Sequence, residues 1–282
     1  MRVLLVPNPS NPRSTGAAVD VASWLASRGY QPMLAADDAE ACGLGRHAVA
    51  RTEIGTPELA VALGGDGTIL KTVHLLGDVD TPVLGVNLGR LGFLSGAQGE
   101  ELQEALAAAV AGEVAIERRQ TLFADVAVGG RHAGRYRALN EVFIGRGAGS
   151  RVVELEIRVN GARLTRLVCD GVIIASATGS TAYALSAGGP IVSPDVRGMV
   201  LVPVAPHTLT SRAIVLGPSD HIEVVCPNPA RADACVSIDG DQVPCRRMLD
   251  GVTVGIADHD VRLLRMDGRS FYDVLADSFL GD

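Results

Sequence analysis

Gly64-Gly65-Asp66-Gly67-Thr68 follows the apolar run Leu59–Leu63 and leads into a helical pattern from Ile69 to Leu76. An apolar strand that ends in a glycine-rich turn and continues as a helix is one arm of a β-α-β unit. Such units stack into a parallel sheet with helices on both faces. The rest of the first third repeats the alternation. Val3–Val6 is an apolar run followed by the loop Pro7-Asn8-Pro9-Ser10-Asn11-Pro12. Thr15 to Arg28 reads as a helix, with Ala18, Val21, Ala22 and Leu25 on one face and Gly29 as its stop. Val83–Val86 is a third strand ending at Asn87, and Glu100 to Ala111 is an alanine-rich helix.

After about Gly112 the texture changes. Leu122–Val128, Arg131–Ala138, Arg151–Val159 and Ala162–Val168 are alternating or β-rich, with Gly129-Gly130 and Asn160-Gly161 between them as hairpin turns. Strand-like runs continue at Val172–Ala175, Met199–Val204, Ile222–Cys226, Ala234–Ile238 and Val252–Ile256. The expected fold class is an N-terminal α/β (Rossmann-like) domain followed by a C-terminal β-sandwich. The expected divisions are 1–114, 115–260 and a segment 261–282 that ends in a helix, Phe271 to Leu280, and returns to the first domain. With 282 residues, 47% of them apolar, the chain has material for two cores.

Composition excludes several function classes. A net charge of −7 argues against a partner that presents phosphates to a basic surface, so no nucleic acid is expected. No apolar stretch is long enough to span a bilayer, so no membrane partner is expected either. The run Met1 to Pro7 is too short for a signal peptide, and five cysteines without a C-x-x-C pair read as reduced thiols, which together point to the cytoplasm. The six histidines form no H-E-x-x-H or Cys/His cluster, so no zinc site is expected.

The turn at 64–68 carries the chemistry. Glycines beyond the carboxyl end of a strand let backbone N–H groups approach a phosphate, and the helix that follows offers its positive end to the anion. A carboxylate in that place repels phosphate unless it holds Mg²⁺, takes a proton from an attacking hydroxyl, or positions that hydroxyl. Its alternative use is as a helix cap. Lys71, the only lysine among 25 basic residues, lies one turn into the helix, within reach of a bound phosphate or ribose. Neither a G-x-x-x-x-G-K-[ST] loop nor a G-x-G-x-x-G fingerprint occurs, which removes the main support for P-loop or hydride-transfer chemistry.

Four further segments stand out. Asn87 to Leu94 has two glycines in an apolar loop. Asn140-Glu141 pairs an amide with a carboxylate, a set that suits two ribose hydroxyls. Asp170 to Tyr183 runs from a strand into small hydroxyl residues, a cradle for a purine and its ribose, with Thr181 or Ser180 placed to cap the next helix. Asp239-Gly240 reads first as a turn.

In this order, the segments resemble the bacterial NAD kinases (ATP/polyphosphate NAD kinase family). The matching pieces are G-G-D-G-T at 64–68, N-L-G-x-L-G-F-L at 87–94, N-E at 140–141, T-G-S-T-A-Y at 178–183 after D-G at 170–171, S-A-G-G-P at 186–190, P-H at 206–207 and S-x-D-G at 237–240. The first is also similar to a turn of diacylglycerol and sphingosine kinases; its combination with T-G-S-T-A-Y is far more specific. The resemblance implies transfer of the γ-phosphate of ATP, or a phosphate of polyphosphate, to the 2′-hydroxyl of the adenosine ribose of NAD, giving NADP. It implies Asp66 as the catalytic acid-base residue, with Mg²⁺ bridged by phosphates near it and its protein ligands unassigned. Gly64, Gly65, Gly67 and Thr68 would contact ATP. Asp66, Gly67, Lys71, Asn140, Glu141, Arg151, Asp170, Thr181, Ala182, Tyr183, Ala184, Leu185, Ser186 and Gln242 would contact NAD. A homodimer or homotetramer is implied as well. Two departures mark this chain. Ser176-Ala177-Thr178 stands where the family has T-P-T, and Asp239-Gly240-Asp241-Gln242 stretches its D-G-Q, so either Gln242 or Asp241 takes the glutamine's place.

Overall fold

The structure, a computed structural model, describes residues 1–89, 92–149, 152–208, 210–230, 232–244, 248–266 and 270–280. The chain forms two compact units, Met1–Arg119 with Asp260–Asp282, and Gln120–His259.

The first unit runs β1 (Arg2–Pro7), α1 (Pro12–Ser27), β2 (Gln31–Ala35), α2 (Ala36–Ala41), β3 (Ala48–Val49), β4 (Leu59–Leu63), α3 (Asp66–Leu76), β5 (Val83–Asn87), β6 (Ala97–Gln98), α4 (Leu102–Ala111) and β7 (Ala115–Arg119). Its sheet has the order β3-β2-β1-β4-β5, then the late strand Val261–Arg265, then β7, with β6 paired to β5. All pairings are parallel except that between Val261–Arg265 and β7. β4 is buried along its whole length and β1 from Val3 onward, as their continuous apolar runs require of strands covered on both faces. The chain leaves β1 toward β2 and β3, then resumes on the other side of β1 with β4 and β5. That reversal of strand order opens a crevice beyond the carboxyl ends of β1 and β4.

Several boundaries differ from the sequence reading. α1 begins at Pro12 rather than Thr15, because Asn11 caps it by accepting from the Arg13 N–H and Pro12 occupies the first turn. α3 begins at Asp66 itself. α4 starts two residues late, after a short 3₁₀ turn at Gly99–Glu101. Ala115–Arg119, which follows the change of texture, pairs within the first sheet, and Val261–Arg265 is a strand between two others. Beyond it, Ser270 and Asp273 form a capping box for the short helix Phe271–Leu275, which continues as one wide turn, Ala276–Leu280.

The second unit is a sandwich of two six-stranded antiparallel sheets. One has the order Ile214–Leu216, Met199–Val204, Gly171–Ser176, Glu141–Arg146, Ala234–Ile238, Asp241–Gln242. The other has the order Ala162–Cys169, Val153–Val159, Ile222–Val225, Leu249–Ile256, Leu122–Val128, Arg131–Ala138. Leu122, Ala124 and Val126 alternate inward to meet Val142, Ile144, Val172 and Ile174 from the facing sheet. Asn160-Gly161, Gly129-Gly130 and Asp239-Gly240 all have positive φ at both residues, the backbone of two-residue hairpin turns. Among the described residues no helix is long and apolar enough to cross a membrane.

Candidate active site

In the first unit, the crevice at the reversal of strand order is a cleft of ≈ 270 Å³ lined by Pro7, Asn8, Pro9, Gly65, Gly67, Thr68 and Lys71. The glycine turn forms its floor. Gly64 has φ +157, its N–H donates to the Val86 carbonyl at 2.9 Å, and a Cβ there would collide with the Thr68 hydroxyl. The turn therefore closes tightly enough for α3 to start at once, with Gly65 in the cap position and Asp66 as the first helical residue. Of the first-turn amides, that of Thr68 turns back on the Gly65 carbonyl at 2.9 Å, and those of Asp66 and Gly67 stand at the positions of a helix that have no intrahelical acceptor, beside the cleft.

Asp66 does not cap its own helix. Its carboxylate accepts from the Phe93 N–H at 2.9 Å and the Leu94 N–H at 3.2 Å. This docking explains the glycines after β5. Asn87 Oδ1 accepts from the Gly89 N–H at 2.8 Å and turns the chain, while a Cβ at Gly92 would overlap the Asp66 carboxylate. Arg90 and Leu91 of the same motif lie outside the described residues. Burial pushes the Asp66 carboxyl up from its ordinary value. The two amides, then Arg265 and Arg119, pull it back. A carboxyl raised toward neutrality is a better proton acceptor for a hydroxyl.

Lys71 reaches the wall of the cleft already anchored. Its Nζ donates to Asp38 Oδ1 at 2.6 Å, and Asp38, the third residue of α2, is buried with its other oxygen lacking a partner among the described residues. Sequence reasoning missed Asp38, because its sequence neighbours Asp37 and Glu40 make it look like part of a solvated acidic face.

In the second unit, Asn140 and Glu141 start the strand Glu141–Arg146. Asp239, at φ +48 in its hairpin, turns its carboxylate onto three successive amides: Leu139 at 2.8 Å, Asn140 at 2.7 Å and Glu141 at 2.9 Å. The residue read as a turn is thus also the anchor of the Asn140-Glu141 pair. Glu141 is buried, and its Oε2 has no hydrogen-bond partner among the described residues. Burial, then the nearby Asp239 charge, pushes its carboxyl from 4.5 to about 7, against the Tyr183 N–H, which favours the ionised form.

The T-G-S-T turn packs directly on this pair. A Cβ at Gly179 would run into the Asn140 backbone, so the 3₁₀ turn Thr178–Thr181 can lie there only with glycine. The cradle of hydroxyls expected here is largely used within the protein. Ser176 Oγ donates to the Leu139 carbonyl at 2.6 Å, and Ser180 Oγ donates to the Ala177 carbonyl at 2.7 Å while accepting from the Val192 N–H. Neither Ser180 nor Thr181 caps a helix. Thr181 Oγ1 donates back to the Thr178 carbonyl, and Tyr183–Ser186 is a single turn with no side-chain cap. Tyr183 is exposed, its ring tilted against Phe143 at 5.7 Å between centroids. Thr181, Ala182 and Leu185 are half-buried, Ser186 is exposed, and Ala184 is buried against Ile173, Val200 and Val202.

Not every expected residue converges on Glu141. Register pairs Glu141 with Ala175 and Gly145 with Gly171, so Asp170 stands at the opposite end of the strand pair, roughly 15 Å away at about 3.4 Å per residue. There Asp170 pairs with Arg146 at 3.0 Å. Gln242 and Asp241 are both exposed on the edge strand after the Asp239 hairpin, and Arg151 lies outside the described residues.

Residues 3–114 match the ATP-NAD kinase N-terminal domain and residues 139–266 the ATP-NAD kinase C-terminal domain. The chain is 41% identical over 264 residues to an NAD kinase of Polaromonas naphthalenivorans, covering 93% of this chain and 90% of that protein. It is 38% identical over 274 residues to an NAD kinase of Moorella thermoacetica, covering 97% and 88%. Among solved structures, yeast NADH kinase complexed with NADH superposes with a TM-score of 0.88 at 27% identity, over 100% of this chain and 87% of that one. An NAD kinase from Archaeoglobus fulgidus in complex with ATP gives 0.74 at 24% identity over 98% of each, a likeness of fold. By both family models and by relatives matched along almost its whole length, this chain belongs to the NAD kinase family.

Proposed function

We propose that this chain transfers the γ-phosphate of ATP to the 2′-hydroxyl of the adenosine ribose of NAD, with Mg²⁺, to give NADP. The observation that carries the reading is Asp66, a carboxylate at the first position of the helix that follows the cleft's glycine turn, held by two backbone amides. Asp66 takes the proton from the ribose hydroxyl as that oxygen bonds to the γ-phosphorus. The bond from phosphorus to the β–γ bridging oxygen breaks, and ADP leaves with the electron pair. The amides of Gly65 and Gly67, the Thr68 hydroxyl and the Lys71 ammonium line the cleft and suit the phosphates. Asn140 and the open oxygen of Glu141 suit ribose hydroxyls, and Tyr183 offers a ring face to a base. Asp170 and Gln242 remain candidate NAD contacts under this reading.

Mg²⁺ fits as a phosphate-borne ion. Asp66 and Thr68 are the side-chain oxygens at the glycine turn that would hold such an ion together with the phosphates. When bound it neutralises phosphate charge. A reducing, cytoplasmic location is part of this reading, since the five cysteines of the sequence include no C-x-x-C pair. A homodimer or homotetramer completes the proposal, and sedimentation of the purified chain tests it.

The deciding experiment is NADP formation from NAD, ATP and Mg²⁺ by the purified protein and by Asp66→Asn, read through an NADP-specific dehydrogenase. NADH in place of NAD, and polyphosphate in place of ATP, are run alongside. The wild type should turn over, and the variant should lose most of kcat while binding NAD within about 1 kcal/mol. Normal turnover by Asp66→Asn would remove Asp66 from the mechanism. No NADP with either donor, and no NAD binding by calorimetry, would overturn the function.

A further inference from the structure

A group of charges, with Arg119 buried and Glu117 and Arg265 half-buried, lies behind the Asp66 loop and takes no part in the scheme above. Glu117 and Arg119 stand on β7, and Arg265 ends the adjacent strand, whose Leu263 is in register with Glu117. Arg119 is 1% exposed, and its Nη2 lies 2.8 Å from Glu117 Oε1. Arg265 Nε donates to Glu117 Oε2 at 2.5 Å, so one carboxylate clamps two guanidinium groups. Three further contacts from these guanidinium groups are made to the loop. Arg265 Nη2 donates to the Phe93 carbonyl at 2.7 Å, Arg265 Nη1 donates to the Ser95 carbonyl, and Arg119 Nη2 reaches the Phe93 carbonyl at 3.5 Å.

The segment Phe93–Ser95 is therefore gripped from both sides. Its carbonyls face the guanidinium groups, and its Phe93 and Leu94 amides face the Asp66 carboxylate. Burying a guanidinium costs several kcal/mol, and a well-packed apolar residue would hold strands together as well or better. Stability alone does not account for the buried Arg119 on a carboxylate that also holds Arg265. Orientation does, because a planar fork that spans carbonyls i and i+2 fixes the peptide planes between them, which an ammonium on a flexible stem cannot do.

We infer that Arg265 and Arg119, clamped by Glu117, are positioning residues for phosphoryl transfer: by holding the Phe93–Ser95 segment they fix the amide pair that sets the orientation of the Asp66 carboxylate. The inference rests on the reading of Asp66 as the proton acceptor.

The test compares wild type, Arg265→Lys, Arg265→Gln and Asp66→Asn in the full chain. It measures kcat, KM for NAD and for ATP, and residue-resolved amide exchange. Arg265→Lys keeps the charge beside Glu117 and loses the fork. Its kcat should fall about ten- to a hundredfold, the effect of a misplacement near 1 Å, with both KM values within about twofold. Exchange at Phe93 and Leu94 should speed up while the amides of β4 and β5 stay protected. Arg265→Gln should lose at least as much kcat with the same confined change in exchange. Normal kcat in Arg265→Lys would overturn the inference, as would a loss of kcat with faster exchange throughout the first unit. Normal kcat in Asp66→Asn would instead remove the reading beneath it, and the two failures are told apart by which variant stays active.

Discussion

Replacing Glu141 with glutamine tests whether this carboxyl is held out of water with an unused oxygen. Its carboxyl stands at about 7 in the folded protein against an ordinary 4.5, with burial the first cause and Asp239 the second. For a carboxyl raised in this way the folded state keeps its proton longer than the unfolded chain. Between pH 4.5 and 7 the unfolded state binds fewer protons, so stability falls as pH rises through that window and levels off above it. At 1.36 kcal/mol per tenfold change in proton affinity, the whole effect is about 3 kcal/mol, most of it falling between pH 5 and pH 8. Glutamine has nearly the same shape and no charge, so it escapes this penalty. The expected result is that Glu141→Gln gains about 2 to 3 kcal/mol on wild type on going from pH 5 to pH 8. That is roughly 5 to 10 °C in unfolding temperature for a unit of this size. The assay is ligand-free unfolding of both proteins at the two pH values. The difference of differences removes any pH-independent cost of the amide. Stability curves that run parallel from pH 5 to pH 8 would refute the reasoning and mean that water or a partner reaches Oε2.

Two more substitutions address the first unit. Gly92→Ala puts a methyl group where the Asp66 carboxylate lies, so kcat should fall about a hundredfold while calorimetric NAD affinity stays within about twofold. An unchanged kcat would separate the docked geometry from catalysis. Asp38→Asn removes the ionic partner of Lys71, and the KM for ATP should rise about three- to tenfold with kcat nearly kept, as expected when a ground-state contact is loosened. A change confined to the KM for NAD would assign Lys71 to the other substrate.

The strand alternation, the two hairpins at Gly129-Gly130 and Asn160-Gly161 and the tight strand-to-helix turn at 64–68 were legible because each rests on local rules: burial on both faces, φ above zero at adjacent turn residues, and close backbone approach. The start of α1 was obscured because Asn11 and Pro12 belong to a run that reads as loop, although a cap and a first-turn proline are what they supply. The partners of the functional side chains were not legible. Asp38 acts on Lys71 across 33 positions of sequence, Asp239 acts on Glu141 across 98, and Arg265 acts on Phe93 across 172. Such pairs are created by sheet order, and no periodicity within either segment announces them. The hydroxyls of 176–181 misled in the opposite direction. A serine that stitches a turn together looks the same in sequence as one that faces a ligand.

Because Lys71 is the chain's sole lysine, the cleft is chemically addressable without any engineering. Apart from the N-terminal amine, an amine-directed label has one destination. Reductive methylation with a carbon-13 reagent would place a single side-chain resonance on the wall of the cleft, beside Gly67 and Thr68 and within hydrogen-bond reach of Asp38. The movement of that one signal on titration with nucleotide would follow occupancy directly, in a protein of 282 residues that would otherwise crowd the spectrum.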